Sequence, residues 1–144
     1  MKKIIVGFLG LVAMGVIGFL LIQLIPYGHN HANPPVIQEP NWDSARTRQL
    51  AQRACFDCHS NESTWPWYSN IAPISWLVQH DVDEGRRTLN FSDWRVTRRT
   101  GEISRVVLGG EMPPATYLLT HPQAKLSATE KQELASGLTA TASR

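Results

Sequence analysis

Cysteine and methionine are scarce in this chain, and net charge is almost absent. Two cysteines in 144 residues cannot build a dense disulfide framework, nor by themselves a four-cysteine zinc site. The 14 Lys+Arg and 12 Asp+Glu leave a formal charge of +2. That is too little for electrostatic capture of a phosphate backbone, so no nucleic-acid partner is expected. There is no Gly-rich phosphate loop, no Gly-x-Ser-x-Gly elbow and no internal repeat. No stretch alternates convincingly like a strand, so the expectation is an all-α protein. The length suits one domain.

The apolar residues that are present are unevenly placed. Ile4 to Ile25 carries no charge, and Gln23 is its only strongly polar residue. As a helix this run reaches roughly 33 Å, enough to cross a hydrocarbon core of about 30 Å. It is longer than a signal-peptide core, and Pro26-Tyr27-Gly28-His29 is not a small-x-small cleavage site. Residues 1–25 are therefore read as an uncleaved transmembrane signal-anchor, in preference to a cleaved signal peptide. Lys2 and Lys3 carry the whole of the +2 and should stay cytoplasmic, exporting the rest. Gly7, Gly10, Gly15 and Gly18 give no strict Gly-x-x-x-Gly helix-pairing motif.

Residues 26–40 hold four of the nine prolines and read as an extended tether of at most ~45 Å. His29 and His31 within it are expected to be solvated. Residues 41–144 read as the exported helical domain. Asn41 or Asp43 can cap a helix running to Ala54, and Pro73 suits the first position of a helix ending at Gly85. Ile103, Val106, Val107 and Gly110 space a shorter helix. Ser127-Ala-Thr-Glu130 is a capping box before a helix with Leu134 and Leu138 on its apolar face.

Both cysteines fall in one motif, Cys55-Phe56-Asp57-Cys58-His59. Two thiols this close to an imidazole can add to the vinyl groups of haem as thioethers, with His59 as proximal iron ligand. The expected cofactor is one covalent haem c. A thioredoxin-like pair would want a strand–helix–strand setting. Zinc would need further ligands. A disulfide here would close a very small loop. Bacterial haem attachment outside the cytoplasmic membrane agrees with the topology.

If a methionine completes the iron coordination, it is Met112, which follows a short helix in Gly109-Gly110-Glu111-Met112-Pro113-Pro114. A thioether favours reduced iron and suits electron transfer. His80 and His121 are the alternative sixth ligands, and the candidates for acid–base work if the protein were a peroxidase. All five tryptophans lie between Trp42 and Trp94. Trp65, Trp67 and Tyr68 follow the motif closely enough to wrap a haem edge, or they belong to the core. Arg86, Arg87, Arg95, Arg98, Arg99 and Arg105 can pair with propionates or steer an acidic partner. With Asp81, Asp83, Glu84, Asp93 and Glu102 among them, a solvated mixed-charge face is the default.

Several segments resemble the short, membrane-anchored bacterial haem-binding domain proteins, related to monohaem c-type cytochromes. They are Trp42-Asp-Ser, Cys55-Phe-Asp-Cys-His-Ser-Asn-Glu, Trp65-Pro-Trp-Tyr-Ser and Ile71-Ala-Pro-Ile-Ser-Trp. Gly85-Arg-Arg, Leu89-Asn-Phe-Ser-Asp-Trp, Glu111-Met-Pro-Pro, Tyr117, His121 and Leu126-Ser complete them. The match covers about residues 36–138. The resemblance implies haem attached at Cys55 and Cys58, His59 proximal and Met112 distal. The expectation is a non-enzymatic electron carrier on the periplasmic face of the bacterial inner membrane. It would exchange electrons with redox proteins there and meet the bilayer through residues 4–25. A haem-based sensor with weak or absent Met ligation is the alternative, and a haem-free thiol oxidoreductase a more distant one.

Overall fold

The computed structural model describes residues 2–96 and 100–144. Among the described residues seven α-helices follow in order: α1 Lys2–Ile22, α2 Ala45–Ala54, α3 Phe56–His59, α4 Ile74–Thr88, α5 Ile103–Leu108, α6 Ala115–Thr120 and α7 Ala128–Ala142. Short 3₁₀ turns punctuate the loops, among them Trp67–Asn70. Among the described residues no strand forms; an isolated parallel bridge joins Gln38 and Asp93. The fold is all-helical, as the missing alternation led one to expect.

The chain divides into two compact units. One takes Met1–His31 and Trp65–His80, the other Ala32–Thr64 and Asp81–Arg144. The first is organised by α1, whose 21 residues bury no side chain against protein. At ~1.5 Å per residue it spans roughly 32 Å, so it is long and apolar enough to cross a membrane. Past its end, Gln23 donates from Nε2 to the Ala72 carbonyl at 3.1 Å and accepts from the Ala72 N–H at 2.9 Å. The His31 ring stacks on Trp65 at 4.7 Å, and its Nε2 donates to the Ser69 carbonyl at 3.0 Å. His31 is therefore engaged with protein, whereas His29 is exposed as expected.

The second unit is built on α2, α5 and α7. Leu50, Ala51 and Ala54 of α2 meet Leu134, Ala135 and Leu138 of α7, with Ile103 and Val107 of α5 and Leu126 closing the core. Ser127 and Glu130 form the expected capping box. Gly137 lets α7 approach α2, because a Cβ there would run into the Thr47 side chain. Two helix ends differ from the sequence reading. Ser44, not Asn41 or Asp43, caps α2, its Oγ accepting from the Thr47 N–H at 3.1 Å. Asp43 instead receives the Thr141 hydroxyl, which ties α2 to α7. Gly85 does not end α4, which continues to Thr88.

The Pro-rich segment makes contacts with both units. From Ala32 onward the chain is held to the second unit. Arg86 donates to the Ala32 carbonyl and to Asn33 Oδ1, and Asn61 Nδ2 donates to the Pro35 carbonyl. Ile37 and Gln38 donate their N–H groups to the Ser92 carbonyl. Proline removes some backbone donors from this segment, but its carbonyls still accept, and side chains with several N–H groups capture them.

Candidate functional site

The Cys-x-x-Cys-His run occupies the junction of α2 and α3. Cys55 caps the end of α2, and its carbonyl accepts from the His59 N–H at 2.9 Å. This short helical turn brings the two thiols and the imidazole into one stretch of backbone. Phe56, between them, is buried and turns into the core. It stacks on Phe91 at 5.4 Å, which stacks on Trp94 and meets Trp42 at 5.2 Å. The motif therefore divides its residues: Phe56 anchors it, and Cys55, Cys58 and His59 stay half-buried.

The imidazole is held from α4 and the loop after it. His59 Nδ1 lies 3.0 Å from the Gly85 carbonyl and 3.1 Å from the Leu89 carbonyl. Carbonyl oxygens only accept, so the proton sits on Nδ1 and the lone pair is left on Nε2. Burial holds His59 below the usual histidine range, against the opposing pull of those two hydrogen bonds. A neutral ring with one nitrogen committed to backbone and the other free is the donor a metal centre requires. Gly85 makes this arrangement possible. A Cβ there would run into the Cys58 carbonyl, so only glycine lets α4 lie against the motif.

The residues after His59 are fixed as tightly. The Phe91 N–H donates to the His59 carbonyl at 2.8 Å, and the Asn61 N–H to Ser92 Oγ at 2.9 Å. Asn90 Nδ2 donates to Asn61 Oδ1, and Asn90 Oδ1 accepts from the Ser92 N–H. Arg86 donates to the Ser60 carbonyl and Ser63 Oγ. Each such bond contributes about 1 kcal/mol net, and an orphaned partner would cost more.

Both thiols are free. Burial pushes Cys55 up to about 12, with a smaller contribution from Cys58. Burial pushes Cys58 to about 12 as well, helped by the carboxylates of Asp81 and Asp57. Burial thus favours the neutral thiol form of both cysteines.

A contact that sequence reading missed joins α6, which follows the Met112 loop, to the motif. That loop leaves α5 with the Glu111 and Met112 N–H groups donating to the Val106 carbonyl. Five residues on, the Tyr117 hydroxyl of α6 donates to Asp57 Oδ2, inside the motif, at 2.6 Å. Burial and then the Asp57 carboxylate drive the Tyr117 phenol well above its ordinary range, with both thiols contributing. The Met112 side chain itself is 36% exposed. His121 stacks on Tyr117 at 4.1 Å.

Trp65, Trp67 and Tyr68 belong to the first unit, as do His80, exposed on α4, and Trp76. The five tryptophans are thus divided, with Trp42 and Trp94 in the aromatic core of the second unit. Arg87, Arg95 and Arg105 pair with Glu84, Asp93 and Glu111, which makes a mixed-charge surface. Arg98 and Arg99 fall outside the described residues.

Two free thiols and a neutral imidazole with an open Nε2 fit the attachment and proximal ligation of a haem. Comparison with the curated proteins and with the solved structures gives no match. The family described as haem-binding domain matches residues 17–140, from within α1 to within α7, and the chain belongs to that family.

Proposed function

We propose that this haem-binding chain is a monohaem c-type cytochrome-like electron carrier, anchored by α1 in the bacterial inner membrane with its second unit in the periplasm. The observation that carries the reading is the Cys55–His59 run, with His59 Nδ1 committed to two backbone carbonyls. Cys55 and Cys58 would hold haem c as thioethers, and His59 Nε2 would be the proximal ligand. When bound, the haem supplies a one-electron centre. The Gly85 and Leu89 carbonyls keep the His59 proton on Nδ1 and raise the donor strength of Nε2. Tyr117, through Asp57, joins α6 to the motif, which supports a role there for the Met112 loop that leads into α6. Met112 would supply the sixth ligand, and its thioether would raise the potential. Lys2 and Lys3 set the orientation. The electron partners are redox proteins of the inner membrane or periplasm.

The full chain, matured in a periplasm, should give a haem-stained band after denaturing electrophoresis and a pyridine haemochrome spectrum of one haem per chain. Haem that extracts into acid-acetone would sink the covalent reading.

The exposure of Met112 favours a second reading, a small-ligand sensor with weak methionine ligation. Carbon monoxide added to the reduced protein separates the two. Refusal supports the electron carrier, and ready binding supports the sensor.

A further inference from the structure

We infer that Trp65–His80 forms an interfacial surface that rests on the membrane, in the headgroup layer where α1 emerges. The inference rests on α1 crossing a bilayer. A helix of roughly 32 Å covers a hydrocarbon core of about 30 Å, so Gln23, at its end, marks the lipid–water boundary. The Gln23 amide is joined to the Ala72 backbone by a reciprocal pair of hydrogen bonds, 3.1 and 2.9 Å. Ala72 is therefore held at that boundary too. His31 repeats the connection eight residues on, through Trp65 and the Ser69 carbonyl.

The segment held there has the composition of an interface. Trp65 to His80 contains no Asp, Glu, Lys or Arg. Its large exposed apolar side chains include Trp67 at 76%, Ile74 at 48% and Leu77 at 60%, and the polar residues exposed beside them, Asn70 and His80, are an amide and an imidazole. Ile74 and Leu77 stand three residues apart in α4 and so share a face. Trp67 meets the Tyr68 ring edge-on at 5.8 Å. Tryptophan and tyrosine concentrate at bilayer interfaces, where an apolar ring and a polar N–H or O–H are both accommodated. Water gives such side chains no return, whereas the acyl boundary does. The fixed connection to the end of α1 is what selects lipid as the occupant.

The test places the photoreactive residue p-benzoylphenylalanine at single positions of the full haem-loaded chain. The protein is reconstituted in phosphatidylethanolamine–phosphatidylglycerol vesicles, irradiated and weighed by mass spectrometry. The positions are Trp67, Leu77, Leu11 within α1, and Gln132, which is exposed on α7. Lipid adducts are expected at Leu11, Trp67 and Leu77, at least tenfold above those at Gln132. An adduct at Leu11 with none at Trp67 or Leu77 overturns the interfacial surface and leaves the spanning helix standing. Absence of adduct at Leu11 overturns the spanning helix and the inference with it. Adducts from Trp67 or Leu77 to a second copy of the chain assign the surface to self-association and overturn the lipid reading.

Discussion

The two units differ most plainly in charge. All 12 acidic residues, and every basic residue except Lys2 and Lys3, fall within the second unit. The first unit assembles two stretches separated in sequence, α1 with its following turn and Trp65–His80, and neither adds a charge beyond the first three residues. The second unit holds the motif, its polar supports and a surface of ion pairs. An uncharged body tolerates lipid contact, and a charged one demands water. The difference teaches that charge is partitioned by packing unit and not by order along the chain.

Breaking the second unit should leave the first intact. The largest effect is expected from Cys55→Ser with Cys58→Ser. Covalent haem should be lost completely, read by haem-stained electrophoresis, while the protein still sediments with membranes. Release from the membrane would tie the two units together more closely than their composition implies.

Gly85→Val comes next. Its side chain would collide with the Cys58 carbonyl, and overpacking of this kind costs about 3 kcal/mol. Thermal unfolding followed at the Soret band should show a lower midpoint, with a weakened His59 signature in the haem spectrum. An unchanged midpoint would remove the close approach of α4 as a requirement of the site.

Met112→Ala should lower the reduction potential and open the reduced protein to carbon monoxide, with unfolding changed by under ~1 kcal/mol because the side chain is partly exposed. A spectrum identical to the parent would move the sixth ligand elsewhere. Tyr117→Phe removes the donor to Asp57. It should cost about 1–2 kcal/mol in urea unfolding, and reproduce part of the Met112→Ala spectral change if α6 positions the loop.

The smallest effect concerns acid. The Ser127 N–H of the capping box, then Arg53, holds Glu130 down from 4.5 to about 2. A depressed carboxylate stabilises the fold above its unfolded value and loses that contribution as pH falls through its folded value. The stability advantage of the parent over Glu130→Gln should therefore be full above pH 4.5 and vanish toward pH 2. Urea midpoints across that window measure it, and an advantage independent of pH would break the assignment.

Legibility in the sequence was greatest where a local pattern is sufficient. The uncharged run predicts α1, the capping box predicts the start of α7, and the Cys-x-x-Cys-His spacing marks the donor set. Local patterns failed where several residue types could fill one position or where a distant partner decides. Ser44 caps α2 because its hydroxyl reaches the Thr47 amide, although Asn41 and Asp43 had equal claim by residue type. Gly85 looked like a helix stop, yet the Cys58 carbonyl requires it inside α4. Neither the Tyr117–Asp57 bond nor the capture of Ala32 by Arg86 leaves a periodic trace, since their partners lie 60 and 54 residues apart. Tyr117 and the Asn-Phe-Ser-Asp-Trp segment stood out only through the family resemblance.

The amino-acid sequence by itself determined the helical class, the spanning length of α1 and the thiols and imidazole that suit haem. These follow from hydrophobic period, run length and the chemistry of adjacent side chains. The tertiary structure alone decided that His59 presents Nε2, because the Gly85 and Leu89 carbonyls claim Nδ1. It also decided that Trp65–His80 joins the end of α1, because the Gln23 amide found its hydrogen-bonding complement in the backbone of Ala72, 49 residues away. A sequence names donors and acceptors, and only the folded chain brings them within the roughly 3 Å at which they act.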